Sequence, residues 1–314
     1  VSRKATQRDT APQTADGPRP GAQPGQALVP DLLLRFFADH GRDLPWRHPE
    51  AGPWGVLVSE IMLQQTPVVR VLPVYLRWME RWPTPDALAA DSPGDAVRAW
   101  DRLGYPRRAL RLHAAATAIT VDHGGTVPDS VETLLTLPGV GEYTARAIAA
   151  FAFGARTPVI DTNVRRVLSR VERGVDSIRE PATAADRREL ETLLPAEPAV
   201  AARFSAAVME LGALVCSAAN PRCADCPLAD RCAWHLAGHP AAVARRAVQT
   251  WHGTDRQVRG RMMALVRADH GAVARALLLA VTDDAVQATR SLDSLVADGL
   301  LVTVDGGRAY ALPD

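Results

Sequence analysis

Leu137-Pro138-Gly139-Val140-Gly141-Glu142-Tyr143-Thr144-Ala145-Arg146-Ala147-Ile148 is the stretch on which the reading of this chain turns. A tight Gly-x-Gly turn runs straight into a helical pattern. Glycines let backbone amides come close to a phosphate, and the start of the following helix favours an anion. The stretch therefore reads as a helix–hairpin–helix that grips a DNA backbone through Gly139, Val140 and Gly141 without reading base sequence. Taken alone, it is also compatible with an ordinary corner between two helices.

Two neighbouring stretches add weight. Downstream lies Val159-Ile160-Asp161-Thr162-Asn163-Val164-Arg165-Arg166, where Asp161 directly precedes a helical pattern. An aspartate in that position is commonly a helix N-cap. After a DNA-gripping hairpin it also stands where a carboxylate faces the sugar of a nucleotide flipped out of the stack. Upstream, Trp54-Gly55-Val56-Leu57-Val58-Ser59-Glu60-Ile61-Met62-Leu63-Gln64-Gln65-Thr66 sets Glu60 inside an apolar helix. A carboxyl in such surroundings has its pKa raised, which suits a general acid near neutral pH; on the solvent side of the helix it is an ordinary surface charge. Gln64 and Gln65 are long amides able to hydrogen-bond base edges or to fill a gap in the stack.

From about residue 55 to 237 the apolar spacing is helical, for example Val56, Leu57, Ile61, Leu63, Val68, Val71, Leu72 and Tyr75. Pro, Gly and Asp break the pattern at 82–85, 91–94, 123–128 and 137–141. No strand is expected before residue 250, so the main body is all-α. Residues 1–28, rich in Pro, Gly, Gln and Thr, read as a disordered tail, and 238–250 as a linker. Residues 251–314 change character: helices at 255–268 and 284–298, then two short apolar runs around Asp305-Gly306-Gly307, which read as a hairpin. A small α+β, winged-helix-like module is expected there.

Net charge is only +1, so global charge does not announce a nucleic-acid binder. Of 36 basic residues a single one, Lys4, is lysine. Arginine cannot form a Schiff base, so lysine-dependent nucleophilic chemistry has almost nothing to use. No apolar run is long enough to span a bilayer and none at the start reads as a signal peptide, so a cytoplasmic, nucleoid-associated address and no membrane partner are expected. The four cysteines, Cys216, Cys223, Cys226 and Cys232, are bunched as Cys-x6-Cys-x2-Cys-x5-Cys, which points to a metal site rather than to disulfides. With only one Cys-x2-Cys pair and such tight loops, an iron–sulfur cluster fits better than zinc, which stays open as the alternative.

Together these residues resemble the helix–hairpin–helix superfamily of DNA glycosylases that carry a 4Fe–4S cluster, and within it the MutY-type adenine DNA glycosylases. The resemblance covers roughly residues 29–237. It rests on the cysteine spacing, Leu-Pro-Gly-Val-Gly, Val-Ile-Asp-Thr-Asn-Val and Ser-Glu-Ile-Met-Leu-Gln-Gln-Thr, and on Leu44-Pro45-Trp46-Arg47 and Leu103-Gly104-Tyr105, all in the family's order. It implies two helical domains with DNA in the cleft between them: a six-helix barrel over about 55–155, and a cluster domain of about 29–54 with 156–237. By the same resemblance Glu60 protonates the purine, Asp161 stabilises the oxocarbenium-like sugar, and Tyr143 is a third catalytic group. Arg42, Leu44, Trp46, Arg47, Leu63 and Glu210 match the adenine pocket, Asn163 supports Asp161, and Gln65 and Tyr105 enter the duplex. Cys216, Cys223, Cys226 and Cys232 would ligate the cluster.

The implied function is hydrolysis of the N-glycosidic bond of adenine mispaired with 8-oxoguanine or guanine, by a monomer acting on double-stranded DNA. Endonuclease III-type relatives have a lysine where this chain has Tyr143, so lyase chemistry is not expected. A T·G mismatch thymine glycosylase also has tyrosine there but tends to carry Arg-Arg in place of Gln64-Gln65. A non-catalytic DNA-binding relative is the third reading, opposed by intact Glu60 and Asp161. The chain departs from the family at Pro106, where a second tyrosine is usual, and in residues 251–314, which do not resemble the longer β-rich, Nudix-like domain typical of the family. Arg98, Arg102, Arg107, Arg108 and Arg111 are expected either to steer the protein to phosphate or to form a solvated helix face.

Overall fold

Caps and apolar spacing account for most helix starts. The computed structural model describes residues 28–176, 182–241 and 252–314. Helix α1 (Pro30–His40) leads, through two short 3-10 turns, to α2 (Gly52–Leu63), α3 (Val68–Arg81), α4 (Pro85–Ala90), α5 (Pro93–Ala99), α6 (Arg107–His123), α7 (Val131–Leu134) and α8 (Glu142–Phe153). Next come α9 (Thr162–Val171), α10 (Ala184–Leu193), α11 (Pro198–Leu214) and α12 (Ala233–Leu236). Proline at the first helical position and a hydroxyl cap start α4 and α5: Ala87 N–H donates to Thr84 Oγ1 at 3.3 Å, and Asp95 N–H to Ser92 Oγ at 3.1 Å. Among the described residues no helix is long and apolar enough to cross a membrane.

Two apolar cores result. One gathers α2 to α8 around Trp78, whose ring meets Trp82 at 4.6 Å and Trp100 at 5.7 Å, edge to face. The other packs α1, α9, α10, α11 and α12 around Leu33, Leu168, Phe204 and Trp234. Between them Ala147, Ala150 and Val159, with Tyr143 and Met209 against them, tie α8 to α11.

The expected disordered tail ends one residue too late. Residues 1–27 lie outside the described residues, but Leu28 is buried in the second core, and its N–H donates to Glu172 Oε1 at 2.8 Å. An apolar side chain with a core to enter and a paired amide has no reason to remain in solvent. Most of the expected linker, 242–250, also lies outside the described residues.

The C-terminal module comprises α13 (Asp255–Ala268), β1 (Val273–Ala274), α14 (Arg275–Leu279), α15 (Ala285–Ala297), β2 (Val302–Val304) and β3 (Ala309–Ala311). Its strands form an antiparallel sheet in the order β1-β3-β2, with Tyr310 opposite both Val273 and Thr303. Helix, strand, two helices and a hairpin make a winged-helix arrangement. Strand β1 and α14 are absent from the sequence reading because each is too short for a periodicity. The module shares the first core directly: Val258, Met262, Leu292, Leu300 and Leu312 belong to the same apolar cluster as the tryptophans. Arg98 Nη1 donates to the carbonyls of Arg267 at 2.5 Å and Asp269 at 2.7 Å, and Gly94 N–H to Pro313 O at 2.8 Å.

That last contact leaves no room at position 94. A Cβ there would lie 2.4 Å from Pro313 O and 2.9 Å from Leu312 Cβ. Gly94→Ala is expected to lower stability by about 1–3 kcal/mol, as overpacking does. Chemical denaturation measures it, and an unchanged midpoint would show that the C-terminal strand end does not seat on α5.

Candidate active site

The cleft between the two cores has a volume of about 1170 Å³, and α2 forms one of its walls. The helix is apolar almost throughout, with Trp54, Leu57, Val58, Ile61 and Met62 buried behind Val56, Ser59, Glu60 and Leu63, which line the cleft. Glu60 is carried in the same helix, only 6% exposed, and lines the cleft. Burial raises its pKa to about 7; the Tyr143 hydrogen bond and the Arg47 charge pull it down, while Asp161 pushes it up. Tyr143, on the first turn of α8, is itself raised well above the usual phenol range by burial and by the two carboxyl groups.

Asp161 faces the cleft from the other core. It caps α9, accepting from Val164 N–H at 2.7 Å and from Asn163 Nδ2 at 2.8 Å. The N-cap and cleft-facing readings of this residue are therefore both geometrically true. Burial raises its pKa, against the pull of those hydrogen bonds and of Arg166. Arg166 extends the chain of contacts: it donates to Asn163 Oδ1 at 2.8 Å, Gly212 O at 2.7 Å and Cys216 O at 2.6 Å. The cysteine loop is thus joined to Asp161 through two side chains, a connection that spacing alone does not reveal.

Leu44, Trp46, Leu63, Arg42 and Arg47 line the cleft, whereas Glu210 does not. Glu210 is fully buried on α11. It accepts from Arg42 Nε at 2.7 Å, Arg42 N–H at 2.9 Å and Arg47 Nη2 at 2.7 Å. Burial would raise its pKa, but the two guanidinium groups prevail and hold it down at about 2. Its place in the geometry is to fix the two arginines across the domain junction. Arg47 also stacks over Phe37 at 5.1 Å.

Gln65 and Tyr105 occupy two separate turns, both with left-handed backbones, φ 56° and 48°. Such conformations cost a non-glycine residue about 1 kcal/mol or more and need support. Arg108 supplies it. Its guanidinium donates to Ile61 O at 3.0 Å, Met62 O at 3.1 Å and Gln64 O, which end α2, and to Thr66 Oγ1 at 2.9 Å and Gly104 O at 3.1 Å. Arg108 is buried, so its expected role in steering to phosphate is corrected: the open carbonyls at the end of α2 require a donor fork. Arg98 and Arg107 are likewise engaged, with the C-terminal module; Arg107 pairs with Asp298 at 3.1 Å. Arg102 and Arg111 are exposed, and Arg111 lines the cleft. Gln65 lines the cleft as well, while Tyr105 stands outside it, 42% exposed.

In the hairpin, Gly139 has φ 81°, and a Cβ there would meet Arg111 Cβ at 2.8 Å. Val140 turns inward, its N–H closing the turn on Leu137 O at 3.1 Å, and Gly141 is exposed ahead of α8. The four cysteines line one small cavity with Arg170, whose Nη1 donates to Cys216 Sγ at 3.4 Å. The group whose ligand atoms fall within 4.8 Å of one another is Cys223 with His235 and His239, not the four thiols together.

With this geometry in place, comparison with known proteins is specific. The profile of the HhH-GPD superfamily base excision DNA repair protein matches residues 58–193. The adenine DNA glycosylase of Mycobacterium tuberculosis is 50% identical over 299 residues, 94% of this chain and 97% of that protein. An alignment so long takes in most of the C-terminal module. The adenine DNA glycosylase of Homo sapiens is 41% identical over 64% of this chain and 38% of its own. Among solved structures, a thermostable thymine-DNA glycosylase aligns with a TM-score of 0.60 at 26% identity, over 66% of this chain and 95% of its own.

The buried carboxyl has a measurable consequence for folding. Glu60 titrates near 7 in the fold against 4.5 for the free group, so its protonated form is favoured in the native state. The corresponding stabilisation is complete below about pH 4.5 and is lost as pH rises through 7, amounting to about 3 kcal/mol. Glu60→Gln should therefore gain stability relative to wild type between about pH 5 and 8 in denaturant titrations. Parallel pH profiles for the two proteins would contradict the burial of an ionisable group here.

Proposed function

The chain belongs to the HhH-GPD superfamily of base excision DNA repair proteins and to its adenine DNA glycosylase branch, and on that premise we propose how this site works. The protein hydrolyses the N-glycosidic bond of adenine in duplex DNA, and the proposed substrate is adenine opposite guanine or 8-oxoguanine. One observation carries the mechanism: a buried carboxyl at Glu60 with a pKa of about 7, hydrogen-bonded by Tyr143 and sharing its cleft with Asp161.

Hairpin residues Gly139 and Gly141 and the start of α8 hold one strand by its phosphates. Gln65 and Tyr105 fill the stack as adenine rotates into the cleft against Leu44, Trp46 and Leu63. Glu60, protonated, donates its proton to a ring nitrogen of adenine. The bond from sugar to base then breaks with its electron pair leaving on adenine, which departs neutral. The cationic sugar faces Asp161, whose ionised form is favoured by Val164 N–H, Asn163 and Arg166 against the burial that raises its pKa. Water adds to the sugar and its surplus proton returns to Glu60, leaving an abasic site. Tyr143 stands where a lysine would form a Schiff base, so the backbone is not cut by that route.

The cysteines suit an iron–sulfur cluster better than a single zinc ion. A tetrahedral zinc with bonds of about 2.3 Å needs its sulfurs about 3.8 Å apart. The four thiols instead are not all within 4.8 Å of one another, and they line a small cavity with Arg170, Leu211 and Trp234. Cys216, Cys223, Cys226 and Cys232 would hold a 4Fe–4S cluster, whose place there is to order the loop rather than to react with substrate. This loop bears on the site through Arg166.

Glu60→Gln is expected to slow adenine release by at least about a hundredfold while retaining duplex binding. Single-turnover assays on mispaired duplexes, with and without hot alkali, test it; turnover close to wild type would remove Glu60 from the acid role. In wild type the rate should fall as pH rises through about 7, where Glu60 loses its proton. Cys226→Ser should yield protein deficient in iron and acid-labile sulfide and lower in melting temperature. Normal metal content with zinc in place of iron would contradict the cluster.

A further inference from the structure

We propose that Arg256, in the C-terminal module, is a positioning residue for Tyr105 and makes that module part of the wedge that turns adenine out of the duplex. The inference rests on the glycosylase reading above. Tyr105 is held by a strained left-handed turn, φ 48°, after Gly104 at φ 82°, and the residue is 42% exposed. Two guanidinium groups lie against that ring: Arg108 Cζ at 5.4 Å from the centroid and Arg256 Cζ at 4.5 Å. Arg108 belongs to α6 and also donates to Gly104 O in the turn itself. Arg256 arrives from a different part of the chain and is the nearer of the two. A cation over an aromatic face restricts how the ring tilts, which a ring that must enter base stacking needs beforehand.

The platform under Arg256 is built to be rigid. It sits in the first turn of α13, one residue after Asp255, which accepts from Arg290 at 2.7 Å and 2.8 Å and from Gln287 at 3.0 Å. Gln287 also donates to Gly253 O at 2.9 Å, so the entry to α13 is pinned to α15. Asp298 then joins the two units, accepting from Arg259 at 2.6 Å within the module and pairing with Arg107 of the barrel at 3.1 Å. Arg107 lies two residues from Tyr105. The module therefore braces both the ring and the chain that follows it.

The test is a double-mutant cycle with Arg256→Ala and Tyr105→Leu on the full-length protein. It is read by single-turnover adenine release and by the fluorescence of an adenine analogue stacked beside the mispair. Extrusion is isolated from chemistry in the Glu60→Gln background. Arg256→Ala should lower the extrusion signal and the release rate about two- to fivefold, the range of one exposed cation–π contact. The pH midpoint of release should not move. In the Tyr105→Leu background Arg256→Ala should have no further effect. An equal loss in both backgrounds, or a fall of about one in the salt slope of binding, would make Arg256 a phosphate contact and overturn the proposal. So would wild-type extrusion in Arg256→Ala. If Arg256→Ala lowers the melting temperature, Arg256→Gln carries the cycle instead. Wild-type protein that extrudes the base but releases no adenine would refute the glycosylase reading and leave the Arg256 result to stand on extrusion alone.

Discussion

Two buried carboxyl groups have to line the same cleft although they are anchored in different apolar cores. Glu60 is fixed by the core around Trp78, and Asp161 caps a helix of the core around Phe204. Neither core by itself creates the site. If the junction loosened, water would reach the Glu60 carboxyl, the desolvation that raises its pKa would fall away, and it would revert to an ordinary surface acid. The small alanine-rich contact between α8 and α11 allows the close approach that prevents this, and it carries Tyr143 on its edge.

Around that junction the polar work is done almost entirely by arginine. Arg42 and Arg47 meet across Glu210; Arg166 spans Asn163, Gly212 and Cys216; Arg108 gathers carbonyls from two turns. Each needs several donors held in a plane, which an ammonium group does not provide. Gly212 fits the same pattern: a Cβ there would stand 2.7 Å from Asn163 Cβ, so α9 and α11 can approach closely only without one. Close approach of segments distant in sequence, mostly within each core, thus explains residues that appear unrelated along the chain.

Much of this was legible in the sequence, for a physical reason. Caps, Gly-x-Gly turns, cysteine spacing and helical periodicity are local, so the Asp161 cap, the Gly139 turn and the cysteine group could be read from short stretches, whereas the side on which Glu60 faces depends on Tyr143, Asp161 and Arg47 from elsewhere in the chain. The helices of residues 255–268 and 285–297 and the terminal hairpin were likewise locally encoded. Arg108 was not legible: its neighbours in sequence suggest a solvated helix face, and only folding brings the ends of α2 and the Tyr105 turn to it. Nor was the fusion of the C-terminal module with the core around Trp78, because its apolar positions show that something is buried but not against what. Glu210 reads locally as one more helical glutamate, although it is among the most completely buried polar groups.

The central claim is that the fold keeps a protonated carboxyl at Glu60 near neutral pH. Selective carbon labelling of glutamate carboxyls, with the Glu60 resonance assigned by its loss in Glu60→Gln, lets that group be titrated in the free protein by NMR. A midpoint near 7 is expected for this one resonance. A midpoint near the 4.5 of a solvated glutamate would contradict it.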